Sequence, residues 1–360
     1  MRVLVAIICL GIINFCIYAD SQKTALIFGI TGQDGLYLTQ LLLEKGYRVV
    51  GVCRAKRTSN EYNYNFLRSM NEIELRHGDL TDAESIKTII DEIQPDEIYN
   101  LAAQSHVGAS YESAEYTAET DALGALRILE AMRRMNKLCR YYQASSSEMF
   151  GKVTQIPQNE YTPFNPRSPY GVAKLYAYWI TRNYREIYGM YACNGILYNH
   201  ESPFRADNFV SRKITKAVVN IALGNQEILY LGNIHAKRDW GFAQDYVYSM
   251  WLMLQQDSPD DYVIGTGHTH SVKEFVELAF QEMGIDIEWQ GTGVSEKGIN
   301  TANRKIVVAI DPAYFRPVDV ESLVADTWRA EKKLNWKPQT DFNELVKIMV
   351  QADYALLTQE

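Results

Sequence analysis

Between Gln143 and Lys174 the chain carries Ser145-Ser146-Ser147-Glu148 and then Tyr170-Gly171-Val172-Ala173-Lys174. On a helix, the spacing of Tyr170 and Lys174 puts both on one face, about one turn apart. An ammonium there lowers the pKa of a nearby phenol, and the phenolate can serve as a base near neutral pH. Ser146 and Glu148 alternate by two, so they point the same way if their segment is extended. A hydroxyl, a carboxylate, a phenol and an ammonium would then meet at one place. Tyr-x-x-x-Lys alone describes many ordinary helix surfaces, so the elements that position these residues decide what they do.

Thr24 to Phe28 is a continuous apolar run, as expected of a strand covered on both faces in a parallel sheet. It leads into Gly29-Ile30-Thr31-Gly32-Gln33-Asp34-Gly35, a helix from Leu36 to Lys45 ended by Gly46, and a second strand from Arg48 to Cys53. Strand, glycine turn, helix and strand in that order are the context of a dinucleotide site, whose pyrophosphate sits at the helix N-terminus. An acid at the end of the second strand would take the ribose 2′-OH of NAD, whereas an Arg suits the extra phosphate of NADP. Here the strand ends in Cys53-Arg54, followed by Ala55-Lys56-Arg57. NADP is the cofactor this implies.

The alternation continues. Ile73, Leu75 and His77 read as a third strand before Gly78-Asp79-Leu80, and Thr81 with Glu84 makes a capping-box pattern for a helix to Ile93. A fourth strand from Glu97 to Leu101 runs into Ala102-Ala103-Gln104-Ser105-His106, small residues at the sheet edge where ligands lie in such folds. After a helix from Tyr116 to Met135, the strand Tyr141 to Ser145 delivers Ser146 and Glu148. Ser168 caps, and Pro169 opens, the helix of Tyr170 and Lys174, whose stripe of Val172, Leu175, Trp179 and Ile180 is expected to pack on the sheet. The fold class is α/β, a doubly wound parallel Rossmann sheet over 23–198. A smaller mixed α/β substrate domain occupies 199–360, with some segments returning to the large sheet. In it, Arg212, Lys213, Lys216, Lys237-Arg238-Asp239-Trp240 and Tyr314-Phe315-Arg316-Pro317 set cations beside aromatics, which suits a diphosphate and a base.

With a net charge of -8, a general polyanion binder is excluded, and no nucleic-acid partner is expected. Five scattered cysteines, with no CxxC or metal spacing, suggest reduced thiols and no metal site. Arg2 precedes an apolar run from Val3 to Tyr18 and then Ala19-Asp20-Ser21-Gln22. Residues 1–22 thus read as a secretory signal, a membrane anchor or an unused start, and membrane contact is expected only through them. Everything after Lys23 reads as a cytoplasmic enzyme, with export or anchoring the alternative.

The motifs also carry a family resemblance. Gly29-x-x-Gly32-x-x-Gly35 with Tyr170-x-x-x-Lys174 resembles the extended short-chain dehydrogenase/reductases that act on nucleotide sugars. Within them the strings Asn100 to Val107, Ala144 to Gly151, Arg167 to Ile180, Asn194 to Pro203 and Lys237 to Gly241 are similar to the GDP-mannose 4,6-dehydratases. Ser146 stands where that family usually has Thr, and Phe204 replaces one of its Arg residues.

The resemblance implies a redox cycle without net change in NADP. Tyr170, assisted by Lys174, would deprotonate the C4 hydroxyl of GDP-mannose, with Ser146 on O4. Glu148 would take the C5 proton and help expel the C6 hydroxyl as water, giving GDP-4-dehydro-6-deoxy-mannose. It further implies cofactor contacts from Gly29 through Gly35, Arg54, Asp79, Leu80, Leu101, Ala102, Ala103, Gln104, Ser105, Tyr116, Tyr170, Lys174, His200 and Arg205. GDP-sugar contacts would come from Asn199, Lys213, Arg238, Arg316 and Asp319, in a homodimer or homotetramer. The same chemistry on a GDP-manno-heptose and a GDP-4-keto-6-deoxymannose reductase are the alternatives.

Overall fold

The computed structural model describes residues 22–54, 61–314 and 323–358. The basic loop after Arg54, Arg316, Asp319 and residues 1–21, with the whole apolar N-terminal run, lie outside them.

The first strand, β1 (Thr24–Phe28), shows why the sheet is central. Ala25 and Ile27 enter one apolar core while Leu26 and Phe28 enter another, and all four are buried. Strand β2 (Arg48–Cys53) repeats the pattern, with Val49 and Cys53 on one side and Val50 and Val52 on the other. Period-two side chains that are apolar on both faces leave no face for water, so helices must cover both. Strands β3 (Ile73–His77), β4 (Glu97–Asn100), β5 (Arg140–Ser146) and β6 (Ala192–Leu197) come next, and Asp261–Ile264 completes a seven-stranded sheet. Its order is Asp261–Ile264, β6, β5, β4, β1, β2, β3, parallel throughout. The doubly wound expectation holds, with its edge strand supplied from the later half of the chain.

A smaller mixed sheet joins Ile287–Gln290, Lys297–Asn300, Ile306–Ile310 and Leu229–Leu231. The helices Val210–Ala222, Val272–Glu282 and Phe342–Thr358 share its core, where Ile214, Phe275, Val308 and Met349 are fully buried.

Several local expectations are corrected. Helix α1 (Gln33–Glu44) starts directly after Gly32, three residues earlier than its apolar period suggests. Helix α2 (Glu61–Ser69) occupies a stretch to which the sequence pattern assigns no element. Helix α3 (Ala83–Ile93) is capped by Asp82, which accepts from the Glu84 and Ser85 amides, so no Thr81–Glu84 box forms. Thr81 instead donates to Asp79. The helix read from Tyr116 to Met135 begins at Ala114, widens to a π turn over Ala118–Leu123 and runs on as Gly124–Arg133.

The Pro169–Tyr188 helix is capped by Ser168, as its sequence indicates, through a 3.0 Å bond from the Gly171 amide. Its buried face is only partly the expected one, for Leu175 and Ile180 are half-buried against apolar clusters. Tyr170, Ala173, Lys174, Ala177, Tyr178, Thr181 and Tyr184 face inward, while Val172 and Trp179 are 56% and 50% exposed. Polar and aromatic residues win this face because the protein supplies them with partners.

The strongest of those partners is Asp261. Its buried carboxylate accepts from Arg185 through both guanidinium nitrogens at 2.9 and 2.8 Å, from Asn194 Nδ2 at 2.9 Å and from the Tyr178 hydroxyl at 3.2 Å. One carboxylate thereby fixes the Pro169–Tyr188 helix to β6 and to the sheet's edge strand. Removing it leaves a largely buried guanidinium without its counter-ion. Asp261→Ala is expected to lower unfolding stability by about 3–5 kcal/mol, read from the midpoint of a denaturant titration.

Candidate active site

At the C-terminal edge of the large sheet the chain leaves a cleft of about 630 Å³, joined by shared walls at Gly29, Gly32, Leu101 and Ser105 to a second cavity of about 310 Å³. The first βα turn builds the wall. Gly29 has a φ of 82°, and a Cβ there would lie 2.6 Å from the Ala102 amide nitrogen. At Gly35 a Cβ would lie 2.3 Å from the Ile30 carbonyl oxygen. Only glycine lets the turn close so tightly. Gly32, as N-cap, gives α1 no side-chain acceptor, so the helix presents bare N–H groups at the cleft. A long trough with a glycine wall and an uncapped helix start fits a dinucleotide.

Most residues expected around a cofactor line one cavity or both. Gln33, Asp34, Gly35, His200 and Arg205 lie on the larger one. Thr31, Arg54, Asp79, Leu80, Ala102, Gln104 and Tyr116 lie on the smaller, and Ala103 with Ser105 on both. Ile30 lines neither; its side chain is buried in the core. At the end of β2, Arg54 donates to the Tyr116 hydroxyl at 2.7 Å.

Ser146, Glu148, Tyr170 and Lys174 all face the larger cleft. Ser146 and Glu148 do not share an extended segment. Ser146 ends β5, its Oγ accepts the Glu148 amide at 3.2 Å, and Glu148 belongs to a 3₁₀ turn, Ser147–Met149. At Gly171 a Cβ would lie 2.8 Å from the Glu148 carbonyl oxygen, so glycine lets the Tyr170 helix abut the turn of Glu148. Lys174 is 3% exposed, donates to the Ala144 carbonyl at 3.0 Å, and has its Nζ 5.7 Å from the centre of the Tyr170 ring.

Burial dominates the electrostatics. It pushes the Tyr170 phenol well above its ordinary range, with Asp121 and Glu148 adding to the effect and Ser146 and Arg205 opposing it. It also lowers the Lys174 pKa, against the pull of Asp121 and Asp34. The resting phenol is therefore protonated, and the ammonium beside it is desolvated.

Asp34 ties this wall to the later chain. Its Oδ2 lies 2.9 Å from His200 Nε2, and His200 Nδ1 donates to the Tyr198 carbonyl at 2.8 Å. With both ring nitrogens in use as donors, His200 is an imidazolium. Burial opposes that charge, but the Asp34 carboxylate outweighs it and raises the His200 pKa. Gln33 donates to the His200 carbonyl and accepts from Ser202, each at 2.8 Å. Asn63 of α2 joins the Thr31 and Phe204 carbonyls at 3.0 and 3.2 Å, and the Phe204 ring packs against Tyr37, Tyr62 and Phe66. Arg205 is held by Glu201 at 3.1 Å and stacks over Phe209, its guanidinium carbon 3.7 Å from the ring centre.

Asn199, Lys213 and Arg238 line the same cleft, with Lys213 Nζ 3.3 Å above the Tyr314 ring. Arg212 and Lys216 do other work, pairing with Asp353 and Asp207. Sequence reasoning missed Glu201, Phe209 and above all Asp121, which is 2% exposed and lies beside Lys174. Asp121 falls on the apolar stripe formed by Thr117, Ala125 and Ile128, and an acid on such a stripe is the signal that could have found it.

The ion pair has a pH signature. A raised His200 pKa contributes stability that is complete below the ordinary imidazole range and fades as pH rises through the raised value. Asp34, whose pKa is lowered against its burial chiefly by His200, contributes at any pH above the ordinary carboxylate range. His200→Gln is therefore expected to depress the melting temperature more at about pH 6 than at about pH 9.

The chain matches the family model described as GDP-mannose 4,6 dehydratase over residues 26–349. It is 53% identical over 346 residues to the GDP-mannose 4,6 dehydratase of Dictyostelium discoideum, covering 93% of this chain and 97% of that relative. To the human GDP-mannose 4,6 dehydratase it is 52% identical over 344 residues, covering 93% and 92%. Among solved structures, Thermotoga maritima UDP-glucose 4-epimerase shares the fold with a TM-score of 0.77 at 22% identity, covering 94% of this chain and 100% of that one. The dTDP-glucose 4,6-dehydratase of Bacillus anthracis, solved with NAD, gives 0.75 at 19%, covering 92% and 96%. The NADPH complex of RMD from Pseudomonas aeruginosa gives 0.73 at 19%, covering 93% and 100%. By the family model and by this identity across nearly its whole length, the chain belongs to the GDP-mannose 4,6-dehydratase family.

Proposed function

We propose that this chain converts GDP-mannose to GDP-4-dehydro-6-deoxy-mannose with NADP as a captive cofactor, and that Ser146, Glu148, Tyr170 and Lys174 carry the reaction. The observation behind the proposal is the convergence of a phenol, an ammonium, a hydroxyl and a separate carboxylate on one cleft that adjoins a glycine-walled cavity. When bound, NADP supplies the hydride acceptor for C4 oxidation and the hydride returned to C6. Tyr170 takes the C4 hydroxyl proton, and the Lys174 charge supports its phenolate. The Ser146 hydroxyl donates to O4. Once C4 is a ketone, the C5 hydrogen is acidic, and Glu148 removes it and delivers a proton to the departing C6 hydroxyl; with hydride returned to C6, C5 takes up a proton again, which balances the one Tyr170 removed from the C4 hydroxyl. An oxidation alone would not need Glu148; an elimination does.

Arg54, with no acid beside it in the sequence at the end of β2, supports NADP over NAD. Val172, Tyr176 and Trp179, exposed along one helix, support a homodimer or homotetramer buried through that face. Among the described residues no helix is long and apolar enough to cross a membrane. The free thiols Cys53, Cys139 and Cys193 support a cytoplasmic location.

Purified protein given GDP-mannose is expected to form a product lighter by one water, with no net reduced nicotinamide. Glu148→Gln should still oxidise C4, leaving reduced nicotinamide on the protein, while dehydration falls by about 10²–10⁴-fold. Unchanged dehydration by that variant would overturn the assignment of Glu148. Arg54→Ala should weaken NADP binding by about tenfold or more and leave NAD binding unaltered, measured by titration of the cofactor-free protein.

A further inference from the structure

Asp121 has no place in the proposed reaction. It sits in the π turn Ala118–Leu123, packed against the Pro169–Tyr188 helix. The residue added by such a turn re-aims the side chains around it. Oδ1 accepts the Gln104 amide at 2.7 Å, and Oδ2 is buried with no hydrogen-bond partner among the described residues. Fixing the Gln104 amide needs one neutral oxygen, which Asn would supply. A second, charged oxygen in an apolar setting is a liability unless a cation balances it.

Lys174 is that cation. It is equally buried, it acts on Asp121 and Asp121 acts on it, and no direct ion pair joins them. Burial carries the Asp121 carboxyl up to about 7 against the opposing pull of Lys174. The other charged or titratable groups in this setting are Tyr170 on the same helix, Asp34 with its partner His200 on the glycine-rich wall, Glu148 on the 3₁₀ turn and Arg205 on the loop after β6.

We propose that Asp121 is a positioning residue for Lys174: once ionised, its inward Oδ2 supplies the negative charge that keeps the Lys174 ammonium protonated in a buried site, and so able to support the Tyr170 phenolate. Charge acts over such gaps because the medium between screens poorly. Without the anion, Lys174 sheds its proton more easily, and the phenolate loses its counter-charge. The inference rests on the proposed roles of Tyr170 and Lys174 in the oxidation.

The test tracks the ¹⁵Nζ resonance of Lys174 through a pH titration in the wild-type protein and in Asp121→Asn, with Lys174→Arg identifying the signal. In Asp121→Asn, Lys174 should lose its proton at a pH lower by about one unit or more. In a Glu148→Gln background, adding Asp121→Asn should slow the single-turnover reduction of nicotinamide by GDP-mannose about tenfold or more, with the half-saturating GDP-mannose concentration unchanged. An unchanged Lys174 titration overturns the proposal. So does an unchanged oxidation rate. If the Glu148→Gln parent itself reduces no nicotinamide, the reaction assignment fails while the titration still judges Asp121. Should Asp121→Asn not fold, the wild-type protein decides alone: its Lys174 resonance must show an inflection where Asp121 ionises, at about pH 7, and a featureless titration there overturns the proposal.

Discussion

An ammonium removed from water is among the most expensive groups to bury, and the candidate site is built around one. Among the described residues Lys174 has one direct hydrogen-bond acceptor, the Ala144 carbonyl at the end of β5, and the carboxylates of Asp121 and Asp34 at longer range. Such a group stays in place only if the backbone around it cannot relax. The Asp261 clamp on the Tyr170 helix, and the glycine contact between that helix and the turn of Glu148, meet this requirement. Stability and catalytic geometry thus draw on the same few contacts. The sheet edge is tied down because its strand carries Asp261.

A second constraint closes the trough. Residues 33 and 34 begin α1, whereas residues 198 to 202 come after β6 on the other side of the sheet's centre. The His200–Asp34 pair and the two bonds of Gln33 bridge them, so the wall that would hold a dinucleotide is shared by distant parts of the chain. Placing Asp34 in the first turn of α1 also puts its charge where the helix dipole favours it. Arg205, held by Glu201 and Phe209, extends the same wall toward Tyr170.

These constraints explain what the sequence disclosed and what it hid. The βα order was legible because strands covered on both faces read as apolar runs, and glycines at close backbone approaches must be glycines. The four catalytic candidates were legible because their side chains are chemically distinctive. The inward face of the Tyr170 helix was not, because its aromatic and polar residues are buried only through partners far away in sequence, such as Tyr178 on Asp261. Apolar Val172 and Trp179 were assigned to the core by the same rule that correctly buried β1. Helix α2 was missed since its anchorage is Asn63 on Thr31 and Phe204, contacts that no local period announces. Asp121 was passed over because an acid at a helical position reads as a solvated charge until its partners, the Gln104 amide and Lys174, are brought to it by the fold.

A Tyr and Lys beside a glycine-rich turn fix how a hydroxyl is oxidised but not the fate of the ketone, because a fold with that pair can host several reactions. The reaction is decided by what else the cleft brings to the sugar's C5 and C6. Glu148 reaches the cleft because the chain turns into a 3₁₀ helix after Ser146, not because β5 continues. That turn is fixed twice, by the Ser146 hydroxyl on the Glu148 amide and by the bare Gly171 against the Glu148 carbonyl. A side chain at 171 would push the turn away and carry the carboxylate with it. In the proposed reaction an oxidising site would become an eliminating one through a backbone contact as much as through a carboxylate, and the glycine beside Tyr170 would serve the chemistry although it has no group to offer.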